Sequence, residues 1–323
     1  MGYTNFPFGV TSFGVPLPSS GVPGIFSVPA GVSAAPFPRR YLFVDPTNGL
    51  DGNNGFATTS AKRTLAAALT ARLPGDCIVL VDVAVENVVI NRYYTGISNA
   101  SGGPLWIVGL STQGAVAVAP ASGIAILNHE DDVTLVNLDV AGVDASAAAL
   151  QSDGSRGRFV RCKLEGGATS GACAILGPGT VAQRAAHTRG NSGDNVFDDC
   201  EFGWGFDGIR FLGTDYGAAT EVYVRRCLFH DLSNSSFEEA VGSGGSAAVL
   251  YAGLWVKDCL FTPNEDGSIP TKYFSLDDNN ANSGIVTGCS FPVAINSGKN
   301  LVSTKLIWVG NYHTGGISTA QPS

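Results

Sequence analysis

Five segments in the second half of the chain share one pattern. Each runs apolar residues into a mostly polar stretch, then a cysteine, one further residue, and Leu or Phe. The cysteines are Cys162, Cys200, Cys227, Cys259 and Cys289, and two further segments place Leu138 and Asn311 at the same position. Successive positions are 24, 38, 27, 32, 30 and 22 residues apart. A degenerate repeat of roughly 20–40 residues is typical of solenoid proteins.

The repeated segments are rich in β-branched and aromatic residues, alternate with a period of two, and are separated by Gly, Asn, Asp and Ser, as β-strands are. No amphipathic helical pattern lies between them, which argues against alternating strands and helices. The repeat therefore predicts an all-β fold, a single right-handed parallel β-helix with one repeat per coil. About eight to ten coils, stacked at ~4.8 Å each, make a rod of roughly 40–50 Å.

The cysteines have two interpretations. A free cysteine is a small hydrophobic residue that suits a tight interior corner, so that stacked coils produce a core ladder. This ladder comprises Leu138, Cys162, Cys200, Cys227, Cys259 and Cys289. The rival interpretation is metal or disulfide chemistry, but Cys-x-x-Cys is absent and the spacing does not match zinc sites. We favour packing, with reduced thiols and folding in a cytosol.

Composition limits the classes of partner. The net charge is −8 and only 14% of residues are charged, without a Lys/Arg run, so nucleic acid is not an expected partner. No apolar run is long enough for a membrane span, and the N-terminus lacks the pattern of a secretory signal. The 42 glycines suit a fold with many tight turns.

Residues 1–38 have no charged side chain and hold seven of the sixteen prolines. Proline at this density forbids a helix and predicts an extended segment. Residues 1–40 are therefore interpreted as an apolar arm, which either wraps around its own domain or docks on a partner protein. We favour docking, by the aromatic and proline residues Tyr3, Phe6, Pro7, Phe8, Phe13, Pro16, Pro18, Phe26 and Phe37.

The β-helix is predicted to occupy residues 41–313, followed by a polar tail over residues 314–323. Near its start, Thr59 or Ser60 is placed to cap a helix over residues 60–73 whose apolar face carries Leu65, Leu69 and Leu73. Such a helix covers the open first coil of a solenoid. The preceding Asn/Asp/Gly-rich stretch lacks the closing Glu of a calcium loop and predicts a turn network.

Three early stretches carry a resemblance. Tyr41–Asp45, Asp51–Gly55 and Pro74–Asp76 resemble the opening of right-handed parallel β-helix proteins of the pectate-lyase-like superfamily. The arm segment Thr4–Pro16 resembles the start of β-helix structural proteins in tailed-phage virions. The resemblance implies a virion protein made in the host cytoplasm, decorating heads or forming tail spikes as a homotrimer. Its partner would be the major capsid protein or another virion protein.

Several β-helix families cleave polysaccharides with two carboxylates, about 5–5.5 Å apart in retaining and 6.5–9.5 Å apart in inverting enzymes. Asp199 and Glu201 flank a cysteine position and are expected to share a face. Because Arg226 and Asp258 take the Asp199 position in later repeats, a surface charge ladder is the favoured interpretation. The other candidates are Asp198, Asp207, Asp215, Glu238, Glu239, Asp277 and Asp278, with Arg210 nearby and Trp204, Tyr216 and Trp255 for sugar stacking.

The enzymatic signatures of the resembled superfamily are missing: neither Gly-His-Gly nor Arg-x-Pro-x-x-Arg occurs. The four histidines are too far apart in sequence for a metal motif, and no phosphate or dinucleotide loop predicts a cofactor. We therefore expect no enzymatic activity, no metal and no cofactor. The expected function is capsid decoration, cementing or a head spike attached by the arm; the alternatives are a tail spike that binds or hydrolyses host surface polysaccharide and a non-enzymatic host-binding adhesin.

Overall fold

The structure is a computed structural model that describes residues 11–12, 15–16, 38–91, 104–110, 116–167, 169–176, 193–213, 219–241, 251–276, 283–293, 306–313 and 316–318. Within these residues most strands form three parallel sheets, and the chain passes through the sheets in a fixed order, once per coil. Each strand pairs with its counterpart in the neighbouring coils. The predicted parallel β-helix is confirmed.

Sheet 1 contains ten of the described strands. They are β3 (Arg40–Val44), β4 (Asp76–Leu80), β6 (Leu105–Gly109), β9 (Val133–Val136), β12 (Arg158–Val160), β15 (Val196–Asp198), β18 (Ala219–Arg225), β21 (Tyr251–Lys257), β24 (Ser283–Thr287) and β25 (Leu306–Val309). Sheet 2 contains β7 (Val116–Val118), β10 (Leu138–Ala141), β13 (Lys163–Glu165), β16 (Glu201–Gly203), β19 (Leu228–Phe229) and β22 (Leu260–Phe261).

Sheet 3 contains β5 (Val88–Ile90), β8 (Ile126–Asn128), β11 (Leu150–Ser152), β14 (Ala172–Leu176), β17 (Gly205–Gly213), β20 (Leu232–Val241) and β23 (Lys272–Ser275). Two antiparallel pairs complete the described strands: β1 (Thr11–Ser12) with β2 (Val15–Pro16), and β26 (Asn311–His313) with β27 (Gly316–Ser318). β26 continues sheet 2 through the bridge from Ser290 to Tyr312. The described helices are a 3-10 turn at Thr58–Ser60 and α1 (Leu65–Ala71), neither of which is long enough to cross a membrane.

Equivalent side chains stack inside the coils because neighbouring strands pair in register. The Leu or Phe that ends the repeat pattern is the clearest case. Phe202 stacks on Phe229 at 4.7 Å between ring centroids, Phe229 on Phe261 at 4.9 Å, and Phe261 on Phe291 at 4.4 Å. These rings are buried, and offset stacking adds to the hydrophobic gain from burying them.

The corner between sheets 1 and 2 is a tight turn with one residue per coil in the left-handed conformation. This residue directly precedes the cysteine position of the repeat. The residues are Asn137, Arg161, Asp199, Arg226, Asp258, Gly288 and Gly310, with φ between 51° and 67°. The left-handed residue redirects the chain, so the strand that follows the cysteine belongs to a different sheet from the strand that precedes it.

The thiols of the repeat face the interior at this corner. All seven cysteines of the chain are free and buried. The Sγ atoms of Cys162 and Cys200 lie 3.6 and 3.2 Å from backbone oxygens of the preceding coil, those of Leu135 and Phe159. Leu138 is buried at the same level of the stack.

Asn311 takes the cysteine position in the last coil, where it is buried. Its Oδ1 accepts a hydrogen bond from the backbone N–H of Cys289 at 3.0 Å, and its Nδ2 donates to the oxygen of Val286 at 2.9 Å. The amide thus satisfies two backbone groups of the coil beneath it.

The predicted capping helix is present but shorter than expected. α1 begins after Thr64, whose Oγ1 accepts from the backbone N–H of Ala67, so the predicted caps Thr59 and Ser60 are wrong. The reason is tertiary: Lys62 pairs with Val44 and keeps the chain extended just before the helix. Leu73 lies beyond the helix and is 40% exposed, so it does not extend the face formed by Leu65 and Leu69.

Sheet 3 and the arm complete the description. β20 continues to Val241, and Phe237 within it is buried. Residues 264–271 connect β22 with β23. Of the predicted docking residues only Pro16 is described, in β2, and the others lie outside the described residues.

Candidate functional site

The outer face of sheet 2 carries a row of charged side chains. Asp139, Lys163 and Glu201 pair in register on β10, β13 and β16. Their neighbours Leu138, Leu164 and Phe202 are buried, and because side chains alternate along a strand, the charged residues face outward. Glu165, His230, Asp231 and Trp204 complete the group, and these seven residues are called the carboxylate face below.

Lys163 lies at the centre of this face. Its Nζ is 2.5 Å from Oε1 of Glu165 and 4.2 Å from the centroid of the Trp204 ring. Partial burial opposes its charge, but the hydrogen bond to Glu165 and the charges of Glu165, Asp139 and Glu201 outweigh burial and raise the pKa of Lys163. The ammonium group is therefore held charged among three carboxylates.

Asp139 is the half-buried carboxyl at one end of the row. Burial raises the pKa of Asp139, the Lys163 charge opposes this, and the carboxylates of Glu165 and Glu201 add to the rise. A carboxyl with a raised pKa keeps its proton to higher pH than an ordinary aspartate, which is what a general acid requires.

Glu201 is positioned by a histidine from the next coil. Nε2 of His230 lies 3.1 Å from Oε1 of Glu201, and Nδ1 lies 2.7 Å from Oδ2 of Asp231. Gly203 makes room for this ring, since a Cβ there would come within 2.5 Å of its Cε1 atom.

Trp204 stands at the corner between β16 and β17 and is 38% exposed. Its φ is +50°, a conformation that is a genuine outlier for a bulky side chain. The edge of the ring meets His230 at 4.5 Å between centroids. Strain of this kind clusters at functional sites, and a partly exposed indole provides a flat apolar surface for a ligand.

The spacing of the row suits two-carboxylate chemistry. Asp139 and Glu201 are two strands apart, so their Cα atoms lie ~9.6 Å from one another. Inverting glycosidases separate their two carboxyl groups by about 6.5–9.5 Å, which leaves room for a water molecule. The Cα spacing of ~9.6 Å thus lies at the upper limit of that range.

Asp207, predicted as a catalytic candidate, has a structural setting on sheet 3. It is completely buried. Its Oδ2 accepts from Nε of Arg210 at 2.8 Å, and its Oδ1 accepts from Asn234 and Ser235, each at 2.8 Å. These contacts occupy both oxygens, so Asp207 orders the start of β17 and is not available to a substrate.

Glu238 lies one strand further along sheet 3 and is half-buried. Its Oε2 is 3.1 Å from Oγ of Ser235. Burial raises the pKa of Glu238, the hydrogen bond from Ser275 opposes this, and the nearby Asp207 adds to the rise. Asp207 and Glu238 are thus joined through Ser235, without an exposed aromatic ring beside them among the described residues.

The prediction that Asp199 and Glu201 share a face is wrong. Asp199 is the left-handed corner residue after β15 in sheet 1, whereas Glu201 begins β16 in sheet 2. The predicted charge ladder is confirmed for one pair: Nε of Arg226 lies 2.7 Å from Oδ1 of Asp199. Arg226 and Arg225 also hold the buried Asp198, at 2.5 and 2.9 Å.

The two aromatic candidates that the structure describes, Trp204 and Trp255, lie on different parts of the coil. Trp255 is on sheet 1, stacked on Tyr223 at 4.6 Å between centroids, whereas Trp204 belongs to the carboxylate face. Four further candidates lie outside the described residues, namely Tyr216, Asp215, Asp277 and Asp278, and the side chain of Glu239 is not described. No cluster of three or more metal-ligating side chains occurs among the described residues.

Sequence reasoning missed Asp139, Lys163, Glu165 and His230 as site residues. The signal was present in the repeat itself. Asp139, Lys163 and Glu201 each follow the cysteine position by one residue, and Glu165 and His230 follow it by three. Aligning those two columns after the cysteine, rather than the column before it, would have found the face.

No known protein family matches the sequence, and no curated protein matches it. The fold does match solved structures. It is similar to the pectin methylesterase from Aspergillus niger, with 13% identity, a TM-score of 0.52, and 88% of this chain and 89% of that chain covered. It is also similar to the carrot pectin methylesterase, with 12% identity, a TM-score of 0.53, and 90% and 88% of the two chains covered. These similarities identify the fold as a right-handed parallel β-helix.

Proposed function

We propose that this chain binds a polysaccharide along the outer face of sheet 2 and hydrolyses it there, as a tail spike acting on host surface polysaccharide would. The observation that carries the proposal is Trp204, strained and partly exposed at φ +50° beside Lys163 and His230. The similarity in fold to pectin methylesterases is compatible with a polysaccharide ligand.

In this proposal Asp139 is the general acid. Burial raises its pKa, so a larger fraction of Asp139 carries the proton that the oxygen of the glycosidic bond takes up as that bond breaks. Glu201 is the general base, which removes a proton from a water molecule on the opposite face of the sugar. His230 orients the Glu201 carboxylate through the 3.1 Å contact. The sugar ring rests on Trp204, and the reaction inverts the configuration of the anomeric carbon.

The test uses purified full-length protein and a glycan array, followed by cleavage assays on the glycans that bind. Asp139→Asn and Glu201→Gln are expected to reduce cleavage at least 100-fold, the scale of general acid–base catalysis, with binding retained. Trp204→Ala is expected to weaken binding about tenfold, consistent with the loss of one aromatic contact.

Matched controls are available elsewhere on the molecule. Asp258→Asn changes an exposed carboxylate at the corner between sheets 1 and 2, and Trp255→Ala removes an aromatic ring from sheet 1. Both are expected to leave cleavage and binding unchanged. Cleavage that survives in Asp139→Asn and Glu201→Gln would rule out hydrolysis at this face. Loss of binding in Trp255→Ala alone would place the glycan-binding site on sheet 1.

A second candidate function rests on a separate observation, the uncharged Pro- and Phe-rich arm of residues 1–38. We propose that this arm attaches the β-helix, as a homotrimer, to the major capsid protein or another virion protein. Hydrophobic burial would dominate the contact. Deleting residues 1–38 is expected to abolish incorporation into virions while leaving the isolated β-helix folded. Unchanged incorporation would contradict attachment by the arm, and imaging the virions would show whether the protein lies on the head or the tail.

A further inference from the structure

The charges of the carboxylate face limit the kind of glycan that it accepts. This inference rests on the function proposed above. Four carboxyl groups belong to the face, those of Asp139, Glu165, Glu201 and Asp231, against the ammonium of Lys163 and the imidazole of His230. Both basic groups are already engaged: Lys163 with Glu165 and Trp204, and His230 with Glu201 and Asp231.

The border of the face does not change this balance. The corner row beside it carries Arg161, Asp199, Arg226 and Asp258 in successive coils, two cations and two anions. Arg226 is bound to Asp199 and Asp198. An anionic ligand on the carboxylate face would therefore approach carboxylates, and the cation of the row, Lys163, is already paired with Glu165.

Towards the C-terminal end the same row becomes uncharged. Leu228 follows Glu201 in register, Leu260 follows Leu228, and isolated bridges continue the row through Ser290 to Tyr312. Leu260 is 46% exposed and Tyr312 is 53% exposed. The row from Glu201 to Tyr312 crosses four strand spacings, ~19 Å, so a bound oligosaccharide that follows it passes from carboxylates on to apolar and hydroxyl groups.

We infer that the carboxylate face, with its uncharged extension, binds a glycan of neutral or amine-bearing sugars and rejects polymers of uronic acid. A uronate carboxylate placed beside Glu165 or Glu201 meets a like charge, which weakens binding about fivefold for a contact of about 4 Å even in water. The repulsion accumulates with each uronate along the row. This chain would thus prefer neutral or positively charged glycans, whereas a site for acidic polysaccharide prefers negatively charged ones.

The experiment is a glycan array carrying uncharged, amine-bearing and uronate-bearing oligosaccharides of matched length, probed with the full-length protein at low and at high salt. Binding is expected in the uncharged and amine-bearing classes. The amine-bearing class should bind more tightly, and its advantage should shrink at high salt because exposed charges are screened. Binding confined to uronates would overturn the inference but not the proposed glycan binding, whereas binding to no glycan would overturn both.

A variant separates charge from shape. Glu165→Gln keeps the size of the side chain and removes one negative charge, so affinity for oligogalacturonate is expected to rise about fivefold, equivalent to about 1 kcal/mol. The control Asp258→Asn removes one negative charge outside the face and is expected to leave that affinity unchanged. An equal rise in both variants would assign the effect to the net charge of the whole protein and contradict the inference. No change in Glu165→Gln would also contradict it.

Discussion

His230 Nε2 lies 3.1 Å from Glu201 Oε1, a contact between two residues that are 29 positions apart in sequence and in adjacent coils. The β-helix creates it by placing β16 and β19 side by side. The absence of a side chain at Gly203 leaves space for the ring. His230 and Glu201, which form no recognisable sequence motif, are thus in contact beside the strained Trp204.

Trp204 is expected to contribute to glycan binding without stabilising the folded protein. Replacing it in Trp204→Asn relieves a left-handed conformation that costs roughly 1–2 kcal/mol, and this offsets the lost contact with Lys163. The free energy of unfolding should stay within about 1 kcal/mol of the wild type, measured by urea denaturation, while glycan affinity falls. By comparison, Trp106→Ala removes a buried ring and should cost about 3–5 kcal/mol. A comparable loss in Trp204→Asn would show that Trp204 is structural.

Asp139 makes stability depend on pH. Burial raises its folded-state pKa above the unfolded value, so folding favours the protonated carboxyl. The ionised form then destabilises the fold above the folded pKa, and this penalty disappears below the unfolded value of about 3.9. Asp139→Asn should therefore be more stable than the wild type at neutral pH, and the difference should shrink as the pH falls. Thermal unfolding across that pH range measures it, and a difference that grows on acidification would contradict the assignment.

Asn311 is expected to hold the last coil together. Asn311→Ala leaves the backbone N–H of Cys289 and the oxygen of Val286 without their side-chain partner. Burying such groups unpaired costs about 1–3 kcal/mol, so we expect a loss of about 2 kcal/mol in the free energy of unfolding. Tyr312→Phe, at the exposed neighbouring residue, should have no effect. If both variants unfold like the wild type, the Asn311 amide does not support the coil beneath it.

The cysteines should be unreactive toward thiol reagents in the folded protein. All seven are free and buried, so a reagent in solution does not reach them. Burial also raises the pKa of the Cys173 thiol to about 12, so the reactive thiolate of that residue is scarce at neutral pH. A thiol reagent should label none of them in native buffer and all seven in denaturant. Fewer than seven under denaturing conditions would reveal a disulfide. Rapid labelling of the native protein would place a thiol outside the core.

The repeat in the sequence was sufficient to predict the coils. A cysteine position every 20–40 residues, with alternating apolar strands, predicts stacked parallel strands because stacking the coils brings equivalent positions of the repeat into register. The same pattern predicted the corner where the cysteines lie and placed Leu or Phe two residues after each of them, the position at which the structure stacks Phe202 to Phe291. It also predicted a helix before the first coil, although the Lys62–Val44 pairing moved its start to Thr64.

The sequence by itself determined the repeat that forms each coil. Only the tertiary structure decided which side chains come into contact. Asp199 and Glu201, two residues apart, are on different sheets because a left-handed corner residue turns the chain between them. Asp139 and Glu201, 62 residues apart in sequence, are in one row because β10, β13 and β16 pair in register. The distance between two residues in the sequence determines neither result. In a β-helix the corner turns decide on which sheet a side chain lies, and the hydrogen bonds between coils decide which side chains of neighbouring coils lie side by side.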